Sequence, residues 1–308
     1  MPLDPAPERP TEFLTAPGTK MPPGGTVEWI KTGDGVCLRT ARWMDAAAPV
    51  RGTVVLVNGR SEFIEKYSEV IGELLSRGYC VFTFDWRGQG LSQRALADPL
   101  KGHVRDFAEF DQDLHLIMEQ IVLPRAPEPL IGLAHSMGGN VFLRYLHDNP
   151  GAFEKAVLTA PMLAVNTGPF PYWVAQRLAQ VQTAFGNAEN YVFTGGPGTW
   201  DGPFEGNVVT SDAGRYARNM ALVRENPQLR LASPTFQWLQ SAFRSMALVH
   251  TEEFAHQIET PVLLISAALD KLVKPGADMQ LISRMKRGSF ALVKAEHEIM
   301  MERDDIRA

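Results

Sequence analysis

A hydroxyl, an imidazole and a carboxylate are spaced along this chain as an acyl-transfer centre would need them. The stretch Pro129 to Asn140 reads Pro-Leu-Ile-Gly-Leu-Ala-His-Ser-Met-Gly-Gly-Asn. Its first half is a short apolar run consistent with a buried strand, and a helical pattern follows from Asn140 to Leu146. Ser136 sits at the turn between them. A strained strand-to-helix turn of this kind lifts a serine hydroxyl above a sheet, and it pushes the serine backbone to an unusual φ/ψ. Bulk two residues away would clash. Gly138 and Gly139 supply small residues on one side, and Ala134 keeps the other side small where the usual G-x-S-x-G pattern has glycine.

A serine hydroxyl is a poor nucleophile at neutral pH unless a histidine takes its proton and a carboxylate orients that histidine. Of the 7 histidines, His135 adjoins the serine and is expected to point the other way across the turn. His103 precedes a helix, and His115 and His147 lie in helices. His250 and His256 precede a strand, at the wrong end of a sheet. His297 alone follows the last strand, in Lys-Ala-Glu-His-Glu, and is the expected general base. Asp270 follows the strand at Val262 to Ser266 and fits the order serine, acid, histidine; Glu296 is the weaker rival. The segment after Lys155 to Thr159 reads Ala-Pro-Met-Leu and holds no acid. The oxyanion of a tetrahedral intermediate needs N–H donors. The backbone amides of Met137, next to the serine, and Arg60, after the first buried strand, are the expected pair.

These residues require a scaffold. Two strands are expected between Thr26 and Asp45 around the Gly33-Asp34-Gly35 turn. Buried strands follow at Thr53 to Val57 and Tyr79 to Phe84, with helices from Glu62 to Leu75 and Val104 to Ile121. After Lys155 to Thr159 the alternation stops, and it resumes at Val262. A helix from about Ala277 to Met285 and a strand from Ser289 to Lys294 complete it. Strands alternating with helices imply a mostly parallel sheet covered on both faces, with ligands bound beyond the carboxyl ends of the strands. The expected organisation is an N-terminal mobile arm (1–25), a core (26–161 and 251–308) and an inserted cap (162–250).

At 308 residues the chain can bury a large core. A net charge of -5 argues against a nucleic-acid surface. Cys37 and Cys80 lie in strand-like segments and suggest neither a disulfide framework nor a zinc cluster. No apolar run reaches membrane-spanning length, and the proline-rich start does not read as a secretory signal. The cytoplasm is the default location, with peripheral contact at the inner membrane as an extension of it.

The motifs resemble a known family. Ala134-His135-Ser136-Met137-Gly138-Gly139 is similar to the Gly-His-Ser-Met-Gly-Gly of monoacylglycerol lipases and lysophospholipases, and Asp85-Trp86-Arg87-Gly88-Gln89-Gly90-Leu91-Ser92 is similar to that family's Asp-x-Arg-Gly-x-Gly-x-Ser. Gly102-His103-Val104, Asp111 to Leu114 and His297-Glu298-Ile299 also fit. Arg215-Tyr216-Ala217-Arg218-Asn219 and Ser233 to Trp238 resemble the large bacterial lysophospholipase branch. Two features depart from the pattern. Asn58-Gly59-Arg60 stands where the family often has His-Gly, and the chain ends soon after His297, so a short closing helix is expected.

The resemblance implies an α/β-hydrolase fold with an eight-stranded, mostly parallel sheet, helices on both faces and an inserted helical cap. It also implies hydrolysis of a carboxylic ester of a lysophospholipid or monoacylglycerol through an acyl-enzyme on Ser136, with no metal or organic cofactor. The same triad could instead transfer the acyl group to another acceptor, or cleave an amide or a non-lipid ester. A non-catalytic binding module on this fold is disfavoured because nucleophile, acid and base are all in place.

The insertion is rich in aromatics, which suits an acyl chain. Phe170, Tyr172 and Trp173 are the expected substrate-binding lip, able to touch a membrane surface transiently. The Arg60 side chain is placed to reach a substrate phosphate.

Overall fold

The computed structural model describes residues 9–192, 195–198 and 202–307. Its strands are β1 (Gly25–Lys31), β2 (Cys37–Trp43), β3 (Gly52–Val57), β4 (Tyr79–Phe84), β5 (Leu130–His135), β6 (Lys155–Thr159), β7 (Val262–Ala267) and β8 (Gly288–Val293). They form one eight-stranded sheet in the order β1-β2-β4-β3-β5-β6-β7-β8. Only the β1–β2 and β2–β4 pairings are antiparallel; β4 through β8 run parallel. The α-helices are α1 (Ser68–Ser76), α2 (Ala108–Ile117), α3 (Ser136–Asp148), α4 (Tyr172–Gln182), α5 (Ala213–Glu225), α6 (Phe236–Val249), α7 (Glu252–Gln257), α8 (Pro275–Ile282) and α9 (Asp304–Arg307).

The apolar runs explain the sheet. Every residue of β3 is buried, as a strand covered on both faces requires. Val55 and Val57 face a core that includes Phe107, Phe110 and Phe142, while Leu56 faces Trp43, Tyr67 and Ile71 on the other side. The period-two alternation of a strand thus feeds two apolar layers at once. Because the central strands are parallel, β3, β5, β7 and β8 all deliver their following loops to one edge.

Several expectations shift. The helix expected from Glu62 opens as a 3-10 turn (Ile64–Tyr67), and α1 begins only at Ser68. The Ile64 N–H is donated to Asp85 Oδ1 at 3.0 Å, outside any helical ladder. The helix expected from Val104 starts at Ala108, where the Phe107 N–H is taken by Ser241 Oγ at 2.8 Å. Among the described residues, the region between β6 and β7 carries α4 to α7 and no named strand. Of these, α6 does not stand apart from the core: Trp238, Phe243 and Met246 share the apolar cluster with α2 and α3.

Residues 9–25 of the N-terminal segment, expected as part of an arm, make specific contacts with the core, and residues 1–8 lie outside the described residues. Phe13 stacks on Trp43 with ring centroids 5.0 Å apart. The Leu14 N–H donates to Glu65 Oε1 at 2.9 Å, and Trp43 Nε1 donates to the Pro22 carbonyl at 3.0 Å. Cys37 and Cys80 are buried and free.

Under this segment lies a fully buried ion cluster. The Arg39 guanidinium pairs with Glu65 at 2.5 Å and Asp85 at 3.3 Å, all three side chains at 0% exposure. Asp85 also accepts the N–H groups of Ile64 and Leu91, so the cluster ties β2 to the loop after β4 and to the start of α1. Removing the cation strands two carboxylates in an apolar interior. Arg39→Met is expected to destabilise the fold by about 3–5 kcal/mol, read as a lower urea midpoint at unchanged m-value. A loss below about 1 kcal/mol would show that the carboxylates find other partners.

Candidate active site

Ser136 occupies the step from β5 to α3 with φ 51°, a left-handed conformation that side-chain-bearing residues rarely adopt. It is sustained by close approach of the surrounding backbone. A Cβ on Gly138 would meet the Asn58 carbonyl oxygen at 2.3 Å and that of Val57 at 2.7 Å, both rigid backbone. One on Gly139 would meet Pro161 at 2.8 Å. The Ser136 carbonyl accepts the Met162 N–H at 2.8 Å, and Asn140 Nδ2 donates to the Met162 carbonyl at 3.0 Å. The first turn of α3 is therefore clamped between β3 and the segment after β6.

Three side chains from separate loops meet above it. His297 Nε2 lies 2.9 Å from Ser136 Oγ, and His297 Nδ1 lies 2.6 Å from Asp270 Oδ2. The carboxylate can only accept, so Nδ1 carries the proton and Nε2 faces the hydroxyl as an acceptor. Asp270 Oδ1 is held by the N–H groups of Leu272 at 2.7 Å and Val273 at 2.9 Å. Burial would raise this carboxyl, but the His297 imidazole and these two amides bring it below its usual range. Glu296, the rival acid, instead donates its backbone N–H to Glu302 Oε1 at 2.7 Å.

His135 does not face away from the site as expected. Its ring centroid is 4.8 Å from that of His297, and it lines the same cavity. Its Nδ1 donates to the Thr159 carbonyl at 3.0 Å. Burial holds this imidazole down at about 4.

The loop after β3 closes the other side. Asn58 donates to the Phe84 carbonyl at 2.8 Å and accepts Trp86 Nε1 on its own carbonyl at 2.8 Å. A side chain on Gly59 would sit 3.1 Å from Ser136 Cβ, which sets how closely this loop approaches the serine. The Gly59 N–H is donated to Glu62 Oε2. Gln89 brackets Arg60, donating to the Gly59 carbonyl at 2.7 Å and accepting the Ser61 N–H at 3.3 Å. Lys66 bridges Glu62 and Glu298 at 2.6 Å each, coupling this loop to the one carrying His297. Gln89 lies inside the recognised motif, but its bond to the β3 loop is tertiary. Glu298 lies inside the family-like His297-Glu298-Ile299 motif, but nothing in the sequence pairs it with Lys66, and Glu62 and Lys66 give no signal beyond being charged residues near a loop.

A cavity of about 770 Å³ opens over Ser136 and His297, within the size range of small-molecule sites. Its floor is polar. Its walls include Val165, Phe170, Leu178, Val192, Phe236 and Leu239. Of the three aromatics expected at the lip, Phe170 lines the cavity and is 38% exposed. Tyr172 turns away to pack on Phe243 at 4.9 Å. Trp173 is 68% exposed and outside the lining. Arg60 lines the cavity, its guanidinium carbon 5.3 Å from the Trp238 ring centroid. Among the described residues no group of three or more His, Cys, Asp or Glu side chains could hold a metal ion, and no helix is long and apolar enough to cross a membrane.

This sheet order, with a serine at the β5–α3 elbow, is the α/β-hydrolase fold. The family model described as "Serine aminopeptidase, S33" matches residues 48–304, and the chain belongs to this family. It is 32% identical to lysophospholipase L2 of Escherichia coli over 271 residues, covering 83% of this chain and 76% of that protein. To the probable lysophospholipase L2 of Haemophilus influenzae it is 30% identical, covering 84% and 80%. A soluble variant of monoglyceride lipase from Saccharomyces cerevisiae, solved with a substrate analogue, superposes with a TM-score of 0.70 at 20% identity over 91% of each chain. The chain is thus a hydrolase of the lipase-like kind.

One buried acid beneath the site has a consequence for stability. Asp278, on α8, accepts a hydrogen bond from Ser266 Oγ and is 1% exposed. Burial, with Asp270 nearby, raises it from 3.8 to about 7. A folded-state value above the unfolded one means that the fold binds the extra proton. Stability is then full at low pH and is lost as pH rises from about 4 to about 7. Asp278→Asn removes that loss. Its melting temperature is expected to match the wild type at pH 4 and to exceed it by a few degrees at pH 8. A constant difference across that range would show that Asp278 is not protonated in the fold.

Proposed function

We propose that this protein hydrolyses the carboxylic ester of a lysophospholipid or monoacylglycerol through an acyl-enzyme on Ser136. The observation that carries the reading is the unbroken Ser136–His297–Asp270 hydrogen-bond chain at the floor of an apolar-walled cavity. As Ser136 Oγ attacks the ester carbonyl carbon, His297 Nε2 takes its proton, and Asp270 stabilises the imidazolium. The carbonyl oxygen becomes an oxyanion facing the Met137 and Arg60 N–H groups. The Gly59 N–H is already given to Glu62, which leaves the next amide, that of Arg60, to face the oxyanion. Collapse breaks the bond to the alcohol oxygen, and His297 returns the proton to that oxygen. A water then loses a proton to His297 and attacks the acyl-serine. The fatty acid leaves, and Ser136 regains its hydrogen.

The helices between β6 and β7 form the cap in this reading, with Phe170 at the mouth alongside the acyl chain. Tyr172 supports that wall through Phe243. Trp173 (68% exposed) and Phe185 (81% exposed) offer apolar surface for transient contact with a membrane or micelle.

Ser136→Ala and His297→Ala are each expected to lower kcat on a monoacylglycerol or lysophospholipid by at least about a thousandfold, with far-UV circular dichroism unchanged. A fluorophosphonate probe should label Ser136, seen by peptide mass mapping, and labelling should vanish in His297→Ala. Labelling at another residue, or retention of activity without the Ser136 hydroxyl, would overturn the assignment.

A further inference from the structure

We infer that Arg60 is an anion subsite, in which its guanidinium binds the headgroup phosphate of a lysophospholipid whose acyl ester lies at Ser136. This rests on the ester-hydrolase reading above and selects between its two substrate classes.

Arg60 differs from the other arginines packed into the molecule. Arg39 is neutralised by Glu65 and Asp85, Arg87 by Asp34, Glu109 and Asp113, Arg144 by Asp111, and Arg215 by Glu69, Asp212 and Asp304. Arg60 has no carboxylate within ion-pair distance among the described residues. It donates to the Ala232 carbonyl and, at 3.2 Å, to Ser61 Oγ, while its Nε is buried without a partner. Burial alone pushes this guanidinium down to about 10. A desolvated cation with no counter-charge is unfavourable to keep. Arg94, also held by carbonyls, spans the Gly88, Gly90 and Gln228 backbone as a loop tie and does not line the cavity.

The placement suits a phosphate. The guanidinium lies over the Trp238 ring in a cation–π contact, and Gly102 leaves it room: a Cβ there would lie 2.4 Å from Nη2. The planar fork is thus fixed before a ligand arrives, which limits the entropy lost on binding. Its backbone adjoins Gly59, itself against Ser136. The run of bonds from the acyl carbonyl to phosphorus through glycerol is comparable in reach to an arginine side chain. The cavity's acidic wall residues, Glu62 and Glu298, are both engaged by Lys66.

The test compares 1-palmitoyl-lysophosphatidylethanolamine with 1-palmitoylglycerol, both below their micelle concentrations at fixed ionic strength, on the wild type, Arg60→Lys and Arg60→Gln. The ratio of the two kcat/KM values is expected to fall about tenfold to a hundredfold in Arg60→Gln, the worth of one or two charge-assisted hydrogen bonds. The change should lie chiefly in KM, with partial recovery in Arg60→Lys. A ratio unchanged within about twofold overturns the subsite. Should the variants not fold, the wild type decides the matter. sn-Glycerol 3-phosphate is expected to compete with p-nitrophenyl butyrate where glycerol does not, and equal behaviour of the two overturns the proposal. Competition by inorganic phosphate as strong as by glycerol 3-phosphate would indicate a free-phosphate site and overturn the headgroup assignment. A wild type inert on every ester, while Ser136 still takes the fluorophosphonate, would instead remove the ester-hydrolase reading.

Discussion

The left-handed backbone of Ser136 is the constraint on which the site depends. Holding a non-glycine residue at φ 51° costs on the order of 1–3 kcal/mol, and it persists only where neighbours leave no alternative. Here the neighbours are carbonyl oxygens of β3 and the proline after β6, against which only glycine fits at positions 138 and 139. Relaxing the serine would mean withdrawing α3 from both flanking strands. The strain is thus secured by the most buried part of the sheet, and the hydroxyl stands where parallel strands end together. That shared edge is also why a histidine after β8 and an aspartate after β7 can reach a serine after β5. No local sequence signal brings them together; strand order does.

A second regularity concerns charge. The interior holds many ionised groups, and most are paired: Arg39 in one cluster, Arg87 in another, Arg215 in a third between α5, α1 and the C-terminal turn. Such clusters fix geometry more than they add stability. The Glu62–Lys66–Glu298 bridge is of this kind but lies directly behind the reacting groups. It joins the loop that presents Arg60 to the loop that presents His297. The two loops are thereby tied through a single buried ammonium group.

Much of this was legible before any coordinates. The β5 apolar run with its small-residue turn marked the elbow. The positions of Asp270 and His297 just after strands marked them as partners for it, and β4 and β6 fall on their expected residues. What was not legible is tertiary. Proline content made residues 9–25 read as an arm, because composition carries no trace of Phe13 finding Trp43. The direction of the turn alone places His135 away from the serine, whereas the fold brings the His297 ring down beside it. The helix expected at Glu62 was displaced because its carboxylate accepts the Gly59 N–H and the Ile64 amide is drawn to Asp85. The aromatic stripe of the insertion gave no means of separating a cavity residue such as Phe170 from a packing residue such as Tyr172, since both sit near the same helix start.

The loop from Asn58 to Glu62 concentrates several contacts in few residues. Asn58 uses both its amide and its carbonyl to anchor the end of β3 to β4 and Trp86. Gly59 must be small to lie against Ser136, and its N–H is committed to Glu62. The next residue, Arg60, carries a side chain long enough to reach Trp238 and the Ala232 carbonyl. A short residue there would leave Trp238 without its cation–π contact and the Ala232 carbonyl without its Arg60 donor. An arginine reaches both, and because these contacts are neutral its charge has no carboxylate partner among the described residues. The same side chain thus ties the β3 loop to the Trp238 ring and the Ala232 carbonyl while lining the cavity, so a change at this position alters packing and cavity charge together.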